Sequence, residues 1–94
     1  MAELQNVYFC VVYSIRKESI KFSVRSMRQS GCNAGEVIIE ALEGLGTGGG
    51  HVTMAGGYVS LRDKTETAEQ LVEKIIKNFK KIVGKKVNVY AQVV

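Results

Sequence analysis

Two segments in the first third of the chain have hydrophobic patterns typical of β-strands. The run Val7–Tyr13 is almost entirely apolar or aromatic, which predicts a buried central strand. The segment Ile20–Ser26 alternates apolar and polar residues with a period of two. Its apolar positions are expected to face the core, and its polar positions, Lys21, Ser23 and Arg25, the opposite face.

Two later segments follow the helical period instead. Asn33 opens a capping-box sequence before an apolar stripe that is followed by Gly44 and Gly46, which predicts a first helix. A second capping-box sequence, Thr67–Gln70, precedes a longer stripe that ends at Gly84. This second segment predicts the longer of the two helices.

Short alternating segments at Tyr58–Leu61 and Val87–Val93 complete the set of predicted strands. The predicted order is β-β-α-β-α-β. This order is typical of a mixed sheet with two helices on one face, an α+β (α/β) two-layer sandwich. A chain of 94 residues and 10.3 kDa has the size of one domain, so residues 1–94 are interpreted as a single domain.

Charge and composition exclude several classes of protein. The net charge of +4 comes from the two ends, because residues 35–61 hold three acidic residues and no basic one. Such a mild excess suits an anionic ligand and is equally typical of a soluble surface. No apolar stretch approaches the roughly 18–20 residues of a membrane span, and Met1–Cys10 lacks the features of a signal peptide. We therefore expect a cytoplasmic protein without a membrane partner, in which Cys10 and Cys32 are free thiols.

Six of the ten glycines lie in the segment Gly46–Gly57. A glycine run lets main-chain N–H groups approach a phosphate or carboxylate closely, although a flexible connection would have the same composition. The dinucleotide fingerprint is rejected because the matching glycines follow a helix rather than a strand. The phosphate loop of nucleoside triphosphatases is rejected because His51 stands where its lysine is required.

His51 is the only histidine of the chain. It is a candidate for contacting a ligand or for acting as a general acid, and a loop histidine is also often an ordinary surface residue. The chain has one aspartate, one histidine and two cysteines, without the close spacing of a zinc or manganese site. We therefore expect no metal in this chain.

Together these motifs resemble a known family. Gly48–His51, with Ala55 and Gly56 behind it, resembles the Gly-Gly-Gly-His segment of the DHH-associated domain. This is the C-terminal substrate-binding domain of DHH-family phosphoesterases. The strand Phe22–Ser26, with its Arg-Ser pair, fits the family element that precedes the first helix, and the resemblance covers nearly the whole chain.

The resemblance implies a role in binding nucleotides. Family members hydrolyse phosphoesters in oligonucleotides, cyclic dinucleotides and nucleotides, with two manganese ions held by a separate catalytic DHH domain of the same polypeptide. We thus expect this chain to be one domain of a longer manganese-dependent phosphoesterase or exonuclease, inactive alone because Asp63 is its only aspartate. Both a monomer and a homodimer remain open. The substrate-binding residues that the resemblance implies are Arg25, Ser26, Gly48, Gly49, Gly50 and His51.

Two other functions remain as alternatives. In a self-sufficient small enzyme, His51 would be a general acid with Cys32 or Arg25 nearby. In a non-catalytic interaction domain, the lysine-rich stretch Lys77–Lys86 would contact RNA or a protein. The aromatic interleaving expected of a single-strand binding platform is missing from the sequence.

Overall fold

A computed structural model describes residues 9–26, 33–62, 64–84 and 87–92. The elements follow the order β-β-α-β-β-α-β, which confirms the α+β two-layer class and adds one strand, β3, to the predicted order. Their bounds are β1 (Phe9–Ile15), β2 (Ser19–Ser26), α1 (Ala34–Ala41), β3 (Thr47–Gly50), β4 (Met54–Ser60), α2 (Ala68–Val83) and β5 (Val87–Ala91).

The strands form one mixed sheet in the order β3-β4-β2-β1-β5. The pairs β1/β2, β2/β4 and β3/β4 are antiparallel, and β5 runs parallel to β1. The buried residues of both helices join one cluster with the inward residues of the strands, so α1 and α2 cover the same face. The other face of the sheet, here called the helix-free face, is not covered by either helix.

Phe79 of α2 lies at the centre of the core. Its ring centroid is 5.8 Å from that of Phe9 and 6.4 Å from that of Phe22, and all three rings are buried. The predicted alternation of β2 is confirmed, because Ile20, Phe22 and Val24 are buried while the intervening residues are exposed. The pattern of β2 therefore fixes which side chains reach the helix-free face.

Three of the four helix boundaries follow the predicted caps, whereas α1 ends at Ala41, with Leu42 as its C-cap, before the predicted stop at Gly44. The side chain of Asn33 accepts a hydrogen bond from the N–H of Glu36 at 3.1 Å. Thr67 and Gln70 form a reciprocal capping box at the start of α2. Gly84 ends α2 in the left-handed conformation, with φ of 67°. No helix in the described part of the chain is long and apolar enough to cross a membrane.

The glycine-rich segment differs from its predicted loop. Thr47–Gly50 forms the edge strand β3, and β4 begins at Met54, earlier than predicted. A Cβ added to Gly48 would lie 3.1 Å from Ile38 Cγ2, and one added to Gly57 would lie 2.8 Å from Ile38 Cδ1. These two glycines therefore allow α1 to pack closely on the sheet. The sequence indicated either a ligand-binding run or a flexible connection here. Close packing against α1 explains two of the glycines of this segment.

Candidate functional site

Arg25 lies on the helix-free face, exposed and close to one end of β2. Its Cα is paired with Met54 of β4 on one side and with Cys10 of β1 on the other. An arginine here can present its guanidinium fork to a planar or tetrahedral anion without burying the charge.

His51 lies at the tip of the β3–β4 hairpin. Its N–H donates a hydrogen bond to the carbonyl oxygen of Met54 at 2.6 Å, and the residue is exposed. Met54 is thus paired with Arg25 across one side and bonded to His51 across the other. Because neighbouring strands lie about 4.8 Å apart, the backbones of Arg25 and His51 are separated by roughly 10 Å. The fold brings these two predicted site residues into one region.

The same hairpin holds the start of α1. The N–H groups of Ala34 and Gly35 donate to the carbonyl oxygens of Val52 and His51, at 2.8 and 3.0 Å. With Glu36 bonded to Asn33, the first-turn donors of α1 are satisfied within the protein. The N-terminus of α1 thus offers no free N–H groups to an anion, and the helix instead fixes the position of the hairpin.

Gly48, Gly49 and Gly50 lie in an extended edge strand, so their N–H groups do not all point in one direction. The hydrogen bond between His51 and Met54 fixes the alternation of the antiparallel pair. In this alternation the N–H of Gly49 points toward β4, whereas the N–H groups of Gly48 and Gly50 point outward from the sheet edge. Beside this edge is a groove of about 610 Å³. The carboxylates of Glu36, Glu40 and Glu43 line it. Their charge disfavours a phosphate on the outer side of Gly48.

Gly49 and Gly56 have no packing neighbour that excludes a side chain. A Cβ at Gly49 would meet nothing within 4 Å, and one at Gly56 only the carbonyl oxygen of Phe22 at 3.6 Å. Gly56 is paired with Gly49 on one side and Ser23 on the other, all three on the helix-free face. These two glycines and one serine form a row across three strands, next to Arg25, in which little side-chain volume covers the backbone. The alternation of β2 predicts Ser23 on this face, but its position beside Gly56 depends on the pairing of β2 with β4, which is not visible in the sequence.

Ser26 lies on the opposite side of β2 from Arg25. The residue is 5% exposed, and its N–H donates to the carbonyl oxygen of Thr53 at 2.9 Å. The structure therefore does not bring the Ser26 hydroxyl onto the helix-free face with Arg25. Its contact with substrate stays a prediction.

The charged side chains on the helix-free face are basic. Among the described strand residues, those on this face that carry charge are Lys21 and Arg25, and no carboxylate accompanies them. No group of three His, Cys, Asp or Glu side chains in the described ranges could hold a metal ion. The charge of Lys21 and Arg25 thus suits an anion.

A comparison of the chain with models of protein families agrees with the resemblance carried by the Gly48–His51 motif. The model of the DHHA1 domain matches residues 2–91. The chain belongs to the DHHA1 domain family. This confirms the DHH-associated domain that Gly48–His51 and the Arg-Ser strand predicted. In DHH-family proteins, DHHA1 domains are associated with the binding of nucleic acids or nucleotides.

One solved structure similar to this DHHA1 domain is the C-Ala domain of alanyl-tRNA synthetase from Aquifex aeolicus. The two are 34% identical in sequence, with a TM-score of 0.48. The similarity covers 69% of this chain and 61% of that chain, so the match spans about three fifths of the synthetase domain. No curated protein matches the chain.

Proposed function

We propose that this DHHA1 domain recognises the phosphate of a nucleotide or short oligonucleotide on its helix-free face, as the substrate-binding domain of a DHH-family phosphodiesterase. The observation that carries the proposal is the position of Arg25 and His51 on either side of Met54. No carboxylate of the described strands shares the face with them.

In this proposal Arg25 donates two parallel hydrogen bonds to phosphate oxygens. His51 contacts the same phosphate or the attached base from the hairpin tip. The bare backbone of Gly49 and Gly56 lets the ligand approach the sheet more closely than side chains would allow. Gly48 and Gly50 contribute by shaping the hairpin, and Gly50 also by an outward N–H at the end of β3.

The chemical step is assigned to a catalytic DHH domain of the parent protein, with manganese as its metal. There the full-length enzyme would hydrolyse oligonucleotides or cyclic dinucleotides. The present chain supplies binding and orientation of the phosphoester, which lower the barrier by positioning the substrate. We expect the isolated domain to bind nucleotides weakly, because its face forms only half of such a site.

An NMR titration of the labelled domain with AMP tests the proposal, with adenosine as the control that lacks phosphate. AMP at millimolar concentration is expected to shift the amide signals of Gly49, His51 and Gly56. Arg25→Gln is expected to weaken AMP binding about tenfold or more, because it removes charge-assisted hydrogen bonds.

The matched control is Arg16→Gln, since Arg16 is exposed in the β1–β2 turn, outside the proposed site. This variant is expected to bind AMP like the wild type. Equal AMP affinity in the wild type, Arg25→Gln and His51→Ala would refute the proposed site. Equal shifts with adenosine and AMP would refute phosphate recognition.

A further inference from the structure

The helix-free face also carries two exposed aromatic side chains. Tyr58 of β4 is 44% exposed, and Tyr90 of β5 is 56% exposed. Strand alternation places both on the helix-free face, because Val59 and Val89, their sequence neighbours, pack against the core. Neither tyrosine is used by the proposed phosphate contact, and neither is needed to fill the core.

The two tyrosines lie on either side of a basic centre. Tyr58 is directly paired with Lys21 on β2, and Tyr90 is paired with Val12 on β1. Three strand spacings separate β4 from β5, which corresponds to roughly 14 Å between the two backbones. A single nucleotide cannot contact both rings at this separation, whereas a chain of several nucleotides can.

The positive charge of the helix-free face favours an anionic ligand. Lys21 and Arg25 are its charged strand residues in the described part of the chain, and the acidic residues Glu36, Glu40 and Glu43 line the groove next to α1 instead. Exposed aromatic rings interleaved with basic side chains match the alternation of bases and phosphates in a single strand. In a duplex the bases are stacked on one another, so their faces are not available to these rings.

We infer that the helix-free face is a platform for single-stranded nucleic acid several nucleotides long, with bases stacked on Tyr58 and Tyr90 and phosphates bound by Lys21 and Arg25. The inference rests on the proposed function for the phosphate contact of Arg25. It goes beyond the proposed function by assigning base contacts to Tyr58 and Tyr90 and a further phosphate contact to Lys21.

Fluorescence anisotropy with labelled oligoadenylates tests the platform, using a dinucleotide and a hexanucleotide. The hexanucleotide is expected to bind the wild type at least tenfold more tightly than the dinucleotide. Tyr58→Ala and Tyr90→Ala are each expected to weaken hexanucleotide binding about tenfold, since each removes one stacking contact. Tyr58→Phe and Tyr90→Phe keep the rings and are expected to restore most of this affinity.

Two control variants separate the platform from general effects of charge and hydrophobicity. Ile39→Ala removes another exposed apolar side chain, 54% exposed on α1. Lys77→Gln removes an exposed charge on α2, and Lys21→Gln removes one on the platform. Of these three variants, only Lys21→Gln is expected to weaken hexanucleotide binding. It is also expected to make the slope of log K against the logarithm of the salt concentration shallower by about 0.7, the value for one phosphate contact.

The outcomes distinguish this inference from the proposed function. If the hexanucleotide binds no more tightly than the dinucleotide, or if the tyrosine-to-alanine variants bind it normally, the platform is refuted. AMP binding that still depends on Arg25 would then leave the proposed function standing. In a third outcome, the tyrosine-to-alanine variants weaken hexanucleotide binding, but Arg25→Gln changes the affinity for neither AMP nor the hexanucleotide. This outcome would support the stacking surface and refute the proposed phosphate site.

Discussion

The N–H of Gly35 donates a hydrogen bond of 3.0 Å to the carbonyl oxygen of His51. This bond joins the first turn of α1 to the tip of the β3–β4 hairpin, so the position of the candidate histidine depends on how closely the helix packs. Gly35 also lies against Gly50, since a Cβ at Gly35 would be 2.7 Å from the Gly50 carbonyl oxygen.

Gly35→Ala is expected to destabilise the domain by about 1–3 kcal/mol, because the added methyl group meets backbone atoms that must shift. The gain in helix propensity of up to about 1 kcal/mol offsets part of this cost. Urea denaturation measures the change in the free energy of unfolding. A variant as stable as the wild type would contradict the close packing of α1 on the hairpin.

Gly49→Ala is expected to change stability by less than about 0.5 kcal/mol, because a Cβ there meets nothing within 4 Å. The methyl group would lie on the helix-free face, so AMP binding is expected to weaken although the fold is intact. Denaturation and the AMP titration of the same sample check both parts. Loss of stability comparable to that of Gly35→Ala would show that Gly49 is required by packing.

Phe79→Ala is expected to cost about 3–5 kcal/mol, because the ring is fully buried between Phe9 and Phe22. Phe79→Leu keeps most of the volume and is expected to cost less. Thermal denaturation followed by circular dichroism measures both, with Ile39→Ala as a surface control. A loss no larger than that of the control would contradict the central position of Phe79.

Thr67→Ala is expected to destabilise the domain by about 1 kcal/mol, because it removes the side-chain acceptor of the Gln70 N–H at 3.1 Å. Thr67→Ser keeps the hydroxyl and is expected to remain close to the wild type. Urea denaturation of the two variants tests the capping box. Equal losses in both would point to the methyl group of Thr67 rather than to its hydroxyl.

Ser14→Ala is expected to leave stability unchanged or to raise it by up to about 1 kcal/mol. Ser14 is 4% exposed, and its hydroxyl has no hydrogen-bond partner within the described ranges, so alanine removes an uncompensated buried polar group. The matched control is Ser60→Ala, because the Ser60 hydroxyl accepts from the N–H of Arg62 at 3.2 Å. A clear loss of stability in Ser14→Ala would indicate that its hydroxyl is bonded.

The elements with strong local signals could be predicted from the sequence. The alternation in β2 and the caps at Asn33, Thr67 and Gly84 each depend on neighbours within a few residues. The edge strand β3 could not be predicted in this way, because Gly48, Gly49 and Gly50 have no side chains whose alternation would mark a strand. Their extended form depends on pairing with β4 and on contact with α1.

The candidate site was predictable only in part for the same reason. The Arg25 and His51 assignments came from a family motif, and their common region depends on the sheet order, which places β4 between β2 and β3. Tyr58 and Tyr90 are distant in the sequence from each other and from Lys21. Because only the tertiary pairing puts them on one face, the sequence pattern contained no signal for an aromatic platform.

The carboxylates beside β3 also affect whether two copies of the domain can pair through this sheet edge. A short strand of glycines at the rim of a sheet has outward N–H and C=O groups that an identical strand could pair with. Glu36, Glu40 and Glu43 line that rim, so two copies that approach through it bring like charges together. The acidic groove thus disfavours open-ended pairing of copies through the β3 edge.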